Sequence, residues 1–397
     1  MGLFAFTKDE AAAIAERRAL PCFAYRLDMA RSRYEKLRGL LPERAALAYA
    51  VKANPGRELL GCFASAGSWF DCASIGELEL LRSLSVPGSR LLFAGPGKSL
   101  EELELALAMG ARIQADGIED IERIEALLGA RGKAKPGAEA LRVSLRIHPA
   151  SGVSEGSRII GGSGPSAFGV DEEELSPFLE EAARFGSVRI RGLQVFAASN
   201  ERDCERLLAN HRAAFALGRR LQEETGEPLD LIDLGGGLGI PYAEGEEELD
   251  VEAFAAGIGR LLEENPWFSG RVVVEPGRWL AGPCGVYLTR VVRTKTSRGT
   301  RFAILEGGVN HLLRPLLTGQ AFPAAAPGKG GEEVPTTLAG PLCTSLDRLG
   351  EVSLPPLAAG DLVMLGQTGA YGFTEAMTGF LCHPEAAQYW LVDAQAD

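Results

Sequence analysis

Histidine is scarce in this chain: four in 397 residues, at 148, 211, 311 and 383, with no two close together. The seven cysteines (22, 62, 72, 204, 284, 343 and 382) form no Cys-x-x-Cys pair. Neither a zinc site nor a disulfide frame is therefore expected, and the odd, dispersed thiols fit a reduced, cytoplasmic protein. Basic residues are also short, 41 against 53 acidic, for a net charge of -12. With no basic excess to neutralise phosphates, a nucleic-acid partner is excluded, although a local pocket for one small phosphate stays open. No apolar run approaches the roughly 18 residues of a membrane span. Near the start, Asp9 and Glu10 interrupt what a signal peptide would need as an apolar core. What is abundant is apolar residues, at 46%, which excludes a mostly disordered chain. The length suits about two or three domains, or one large barrel and a smaller unit.

Short apolar runs alternate with amphipathic stretches over the first two-thirds. Strands are predicted at Ala46–Val51, Trp69–Ala73, Arg90–Ala94, Ala111–Ala115, Arg142–Ile147, Arg189–Phe196, Leu229–Leu234 and Arg271–Glu275. Helices are predicted at Met29–Leu40, Gly76–Leu84, Leu100–Met109, Ile118–Leu128, Glu172–Phe185, Glu201–Thr225 and Val251–Glu264. Such a count of strand–helix repeats is that of a (β/α)8 barrel; an open, doubly wound sheet is the alternative. Beyond about residue 277, strands at Gly285–Val292, Arg301–Leu305, Val334–Ala339, Asp361–Leu365 and Gln388–Val392 follow one another with little helix, which reads as a β-rich second domain. Ala324–Glu333 reads as a mobile loop, and the Gly/Ser-rich Pro149–Pro165 as a lid over the barrel mouth.

Three clusters carry chemistry. In Tyr49-Ala50-Val51-Lys52-Ala53-Asn54-Pro55 an apolar strand ends on a lysine, at the barrel end where active sites sit. Partial desolvation there would lower its pKa and make it a nucleophile toward an aldehyde; a snorkelling strand-end lysine is the plainer reading. Gly235, Gly236 and Gly237 directly follow the strand ending at Leu234, so backbone N–H groups can approach a phosphate; a simple tight turn is the alternative. No Gly-Lys-Ser/Thr follows them, which excludes a Walker loop. Glu275 ends a run of valines, where a buried carboxylate demands a partner such as a protonated ring nitrogen, and Arg278 offers a planar fork for an anion. The plainer reading is a Pro-Gly surface turn. An amine for an aldehyde, glycines for a phosphate and an acid for a pyridinium are together what pyridoxal phosphate requires.

The chain resembles the fold-type-III pyridoxal-phosphate decarboxylases, the group of ornithine/arginine and diaminopimelate decarboxylases. The resemblance rests on YAVKANP at 49–55, FDCASIGELELL at 70–81, GGGLGIPY at 235–242, EPGR at 275–278, GPLCTSLD at 340–347 and GAYGF at 369–373. It implies an α/β plus β architecture. Residues 28–276 would form a pyridoxal-binding, N-terminal (β/α)8 TIM-type barrel. Residues 1–27 with 277–397 would form a C-terminal β-sandwich or barrel domain that completes the site across a homodimer. It implies that Lys52 holds the cofactor aldehyde and Glu275 pairs with the pyridine nitrogen. Gly235, Gly236, Gly237, Arg278, Ser199 and Tyr371 would surround the phosphate, with Asp71 and Arg146 near the lysine and ring. Cys343 would enter the partner's site and return a proton after CO2 leaves. Arg314, Thr318, Thr344, Asp347 and Tyr371 would face substrate, and no metal is implied.

Three departures bear on the substrate. The family's ring-stacking histidine is Phe196, which stacks but cannot hydrogen-bond. The acid that follows the catalytic cysteine in enzymes for basic amino acids is Thr344, which cannot neutralise an ammonium. Arg314 matches an arginine that binds a distal carboxylate in diaminopimelate enzymes, but the tyrosine expected four residues on is Thr318. The Cys343-Thr344 pair and the runs Gly369–Phe373 and Phe380–Pro384 resemble a biosynthetic branch that takes siderophore-type conjugates or amino acids tethered to a carrier protein, and that includes exopolysaccharide-cluster relatives. Diaminopimelate is the alternative, and a non-catalytic regulatory homologue a further one. An alanine-racemase-type enzyme is disfavoured because an arginine faces the ring nitrogen there.

Overall fold

The computed structural model describes residues 2–131, 139–150, 164–196 and 198–392. In chain order the first strands are β1 (Cys22–Arg26), β2 (Ala45–Ala50), β3 (Trp69–Cys72), β4 (Leu91–Phe93) and β5 (Arg112–Ala115). They are followed by β6 (Leu141–His148), β7 (Val170–Asp171), β8 (Val188–Gln194), β9 (Leu231–Asp233) and β10 (Arg271–Val274). All but β1 and the short β7, which only extends β6, make one closed parallel barrel. β10 lies beside β2, with Val272 opposite Ala45, and β5 closes on β6, with Gln114 opposite Ser144. Closure removes the open-sheet alternative, since a doubly wound sheet keeps two free edges.

Every barrel strand falls on a predicted run, and the helices between them take their ends from local chemistry. Leu100–Met109 starts at a capping box, with Glu102 N–H donating to Ser99 Oγ (3.2 Å) and Ser99 N–H to the Glu102 carboxylate (2.8 Å). It stops at Gly110, whose φ of 77° only glycine adopts cheaply. Val251–Glu264 is capped by Asp250, whose Oδ1 accepts from Ala253 N–H at 2.9 Å. Arg57–Ser65 is a helix the sequence reading did not include; it buries Leu59, Leu60 and Phe63.

Strand side chains alternate between two sides. Leu47, Tyr49, Phe70 and Ile232 join the large apolar layer under the helices, whereas Ala46, Ala48, Leu92, Leu231 and Val273 form a separate small cluster. Alternation carries Asp71, Gln114, Asp233 and Glu275 onto that second, inner side, so the barrel interior becomes acidic toward the strands' C-terminal ends.

The second sheet holds β11 (Gly285–Ser297), β12 (Thr300–Leu305), β13 (Ala324–Ala325), β14 (Val334–Ala339), β15 (Arg348–Leu354), β16 (Leu362–Leu365) and β17 (Ala387–Leu391). β1 joins it, antiparallel to β11 and parallel to β17. The stretch expected as a mobile loop, Ala324–Glu333, begins as β13 paired with β16, and Ala326 is buried. Most of the lid expected at Pro149–Pro165 lies outside the described residues. Among those residues no helix is long and apolar enough to cross a membrane.

Candidate active site

β2 ends in a single tight turn, Val51–Ala53, that carries Lys52. Asn54 fixes this turn. Its Oδ1 accepts from Gly56 N–H (2.9 Å) and its Nδ2 donates to the Gly369 carbonyl (2.9 Å), while Tyr371 N–H donates to the Ala53 carbonyl (2.8 Å). The barrel loop and the 369–371 segment of the second sheet are thereby stitched together, which brings Tyr371 to the barrel mouth. Tyr371 sits at φ 57°, a left-handed backbone that a tyrosine adopts only when its surroundings impose it.

Lys52 Nζ lies 2.9 Å from Asp71 Oδ2 and 5.9 Å from the centre of the Phe196 ring. Asp71, at the end of β3, is buried, and its second oxygen has no partner. Here the structure corrects an expectation. Burial lowers the lysine's pKa as predicted, but the carboxylates of Asp71 and Glu275 outweigh it and the net direction is upward. Lys52 therefore rests as an ammonium held by acids.

Glu275 follows β10, its N–H donating to the Gly235 carbonyl (2.8 Å) and its Oε1 buried without a partner. Burial pushes its carboxyl well above the ordinary range, and Asp233 and Asp71 push it further. Asp233, fully buried on β9, is itself raised to about 6 by burial. Its Oδ2 accepts from Gln114 Nε2 at 2.6 Å and its Oδ1 from Gly235 N–H at 3.0 Å. Two acids this close in a dry interior titrate as a pair and share a proton.

The glycine turn between them is dictated by crowding. A side chain on Gly236 would meet the Glu275 carbonyl at 2.5 Å, and one on Gly237 the Ala198 carbonyl at 2.9 Å, with Gly237 at φ 96°. Ala50, Lys52, Phe196, Ser199, Gly236, Gly237, Glu275, Arg278 and Tyr371 all border one cavity, with Asn200, Leu238 and Gly277. Gly235 lies one residue behind it, its would-be Cβ against the Val195 carbonyl and the Phe196 ring. Arg278 is nearly buried, donating to Tyr242 Oη at 2.7 Å, its guanidinium carbon 4.9 Å from the Tyr371 ring centre.

Other predicted residues lie elsewhere. Arg146 sits over Phe168 (4.6 Å) and 3.8 Å from Asp116, which also binds the buried Lys98. Arg314 is 4.3 Å from the Tyr371 ring and gripped by Glu375. Thr318 Oγ1 donates to the Arg314 carbonyl (2.9 Å), within its own helix. Asp347 is buried and accepts from Val309 N–H (2.8 Å) and Leu342 N–H (2.7 Å), holding its loop rather than opening to solvent. Thr344 Oγ1 accepts from Leu346 N–H, and Cys343 beside it is exposed. Neither Cys343, Thr344, Thr318 nor Asp347 borders the cavity.

The sequence reading passed over Asp233, Gln114, Asn54, Asn200, Tyr242 and Glu375. For Asp233 and Gln114 the signal was present: each is a polar residue at an inward position of an otherwise apolar strand.

Three comparisons bear on this geometry. Residues 27–282 match the pyridoxal binding domain of the pyridoxal-dependent decarboxylases. The L-glutamyl-[BtrI acyl-carrier protein] decarboxylase of Niallia circulans is 30% identical over 94% of this chain and 89% of its own. The Staphylococcus aureus 2-[(L-alanin-3-ylcarbamoyl)methyl]-2-hydroxybutanedioate decarboxylase is 27% identical over 90% of each. The crystal structure of Helicobacter pylori diaminopimelate decarboxylase with L-lysine superposes with a TM-score of 0.86 at 26% identity, covering 96% of this chain and 93% of that one.

Proposed function

The chain belongs to the pyridoxal-dependent decarboxylases, and from that premise we propose that its substrate is an amino acid or amino-acid conjugate whose distal end carries no ammonium. It is an amino acid decarboxylase that uses pyridoxal 5'-phosphate. The residues present fit that cofactor. Two buried carboxylate oxygens, on Asp71 and Glu275, have no partner among the described residues, and the glycine turn leaves open the space that side chains would fill.

When bound, the cofactor supplies an aldehyde for an amine and a ring that accepts the electron pair released as CO2 departs. Around it the chain supplies the rest. Lys52 is the amine placed to hold the aldehyde, and Asp71 orients that amine and carries its charge. Glu275 would pair with the ring nitrogen, and Asp233, anchored by Gln114, stands behind Glu275. The backbone of Gly235, Gly236 and Gly237, with Arg278, Ser199 and Tyr371, forms the anion corner. Phe196 offers a ring face 5.9 Å from the lysine nitrogen, without the hydrogen bond a histidine would give. In the homodimer that the family resemblance implies, the partner subunit's Cys343, an exposed thiol, would return a proton to the substrate carbon. In that reading, residues 28–276 bind the cofactor and residues 1–27 with 277–397 complete the neighbouring site.

Thr344 carries the substrate argument, because it cannot receive a distal cation. The relatives named for an acyl-carrier-protein-linked glutamyl group and for a carbamoyl-linked conjugate support it. Diaminopimelate, kept open by Arg314, is the second reading.

The observation that carries the activity is one cavity bordered by Lys52, Glu275 and Arg278. Loaded with pyridoxal phosphate and reduced with borohydride, the protein is expected to carry the pyridoxyl mass on the Lys52 peptide, and Lys52→Ala to lose both label and visible absorbance. Label on another lysine would overturn the site. Fast CO2 release from lysine or ornithine would overturn the substrate class.

A further inference from the structure

Arg314 holds both oxygens of Glu375 through one guanidinium nitrogen, at 2.6 and 2.8 Å. The arginine is built into the fold, while Glu375 is partly exposed. Arg314 is 5% exposed, and its Nε is buried without a partner. The guanidinium packs at 4.3 Å on the ring of Tyr371, and that ring borders the cavity beside Lys52 and Arg278. The pair thus sits one side chain's thickness from the cavity, and the charge of Glu375 is also felt at Arg278.

A buried arginine with an internal carboxylate partner offers little to a second carboxylate. The incoming anion would have to displace Glu375 or share the guanidinium with it, at the cost of like-charge repulsion. The same arginine cancels the attraction Glu375 would otherwise exert on an ammonium. We infer that the Arg314–Glu375 pair sets specificity by neutralising the wall behind Tyr371, so that the favoured substrate presents an uncharged distal group such as an amide, ester or thioester. This rests on the decarboxylase reading above and narrows its substrate class.

The test is a reciprocal pair of variants, Glu375→Gln and Arg314→Gln, read by calorimetric binding and by CO2 release on the loaded protein. The probes are L-glutamine, L-2-aminoadipate, L-lysine and the N-acetylcysteamine γ-thioester of L-glutamate. For the parent protein, the two neutral-ended probes are expected to bind more tightly than aminoadipate or lysine. Glu375→Gln frees the guanidinium and should tighten aminoadipate relative to glutamine by about tenfold or more, the scale of one charge-assisted hydrogen bond. Arg314→Gln should shift preference toward lysine instead. Because Glu375→Gln keeps shape and volume, it guards against a folding defect in the arginine variant. Unchanged binding ratios in Glu375→Gln, or tightest binding of aminoadipate by the parent, would overturn the inference. CO2 release from the thioester alongside unchanged ratios would overturn only the specificity role. Absence of CO2 from every probe, with the ratios shifted as expected, would instead count against the decarboxylase substrate reading.

Discussion

Replacing Asp233 with asparagine should stabilise the cofactor-free protein, and the size of the gain follows from the geometry. Asp233 is fully buried beside Glu275, and its carboxyl is raised from the ordinary 3.8 to about 6. A carboxyl raised on folding stabilises below its unfolded pKa, and that contribution is lost as pH rises through the folded value. The shift corresponds to ~3 kcal/mol of stability forfeited at pH 7, and Glu275, raised further, adds to it. Asparagine removes this penalty and leaves the number of unsatisfied polar atoms unchanged. Its carbonyl oxygen still accepts from Gly235 N–H, and its amide can donate to Gln114 Oε1, which has no partner at present, once that amide turns over. The assay is urea denaturation of both proteins, cofactor-free, from pH 4 to 8. The useful quantity is variant minus parent, because it cancels His211, which acts in the opposite direction. That difference should be near zero at pH 4, climb between about pH 4 and 6 and plateau at up to ~3 kcal/mol. A flat difference, or a variant less stable than the parent at pH 8, would refute the shared-proton reading of the pair.

His211 is buried with neither ring nitrogen bonded, and burial lowers its pKa to about 3. Its neutral form is favoured on folding, so stability should fall by ~1.4 kcal/mol per pH unit below about 6.5, and His211→Leu should abolish that slope in acid denaturation curves. Asn54→Ala cuts the link to the Gly369 carbonyl and should weaken cofactor affinity about tenfold by equilibrium dialysis, while costing only ~1–2 kcal/mol of stability. Gly236→Ala drives a methyl against the Glu275 carbonyl and should cost ~2 kcal/mol or more with loss of visible cofactor absorbance; wild-type loading would contradict the crowding argument.

The barrel strands were readable because apolar runs bounded by glycine, proline and charge mark buried strands directly. Arg57–Ser65 escaped because it is short, follows Pro55-Gly56 and buries only three large side chains. β15 escaped because its alternation changes phase at Gly350, which leaves Leu349 out of step with Val352 and Leu354. Lys52, the glycines, Glu275 and Arg278 were legible as strand-end chemistry, each carried by its own few residues. Glu375 was not, since nothing near it in sequence announces Arg314. The protonation of Lys52 was misjudged for the same reason: its carboxylates arrive from β3 and from the end of β10, and burial alone was all the local sequence could express.

The position of β1 constrains how this molecule is born. Its residues Cys22, Phe23, Ala24 and Tyr25 are buried, yet both neighbouring strands, β11 and β17, lie in the far third of the chain. On the ribosome this apolar ribbon emerges long before either neighbour and must wait, edges open, until β11 and β17 have followed. Loss of the final strand would leave the same ribbon unguarded in the finished protein, making self-association rather than weakened catalysis the first symptom of a clipped C-terminus.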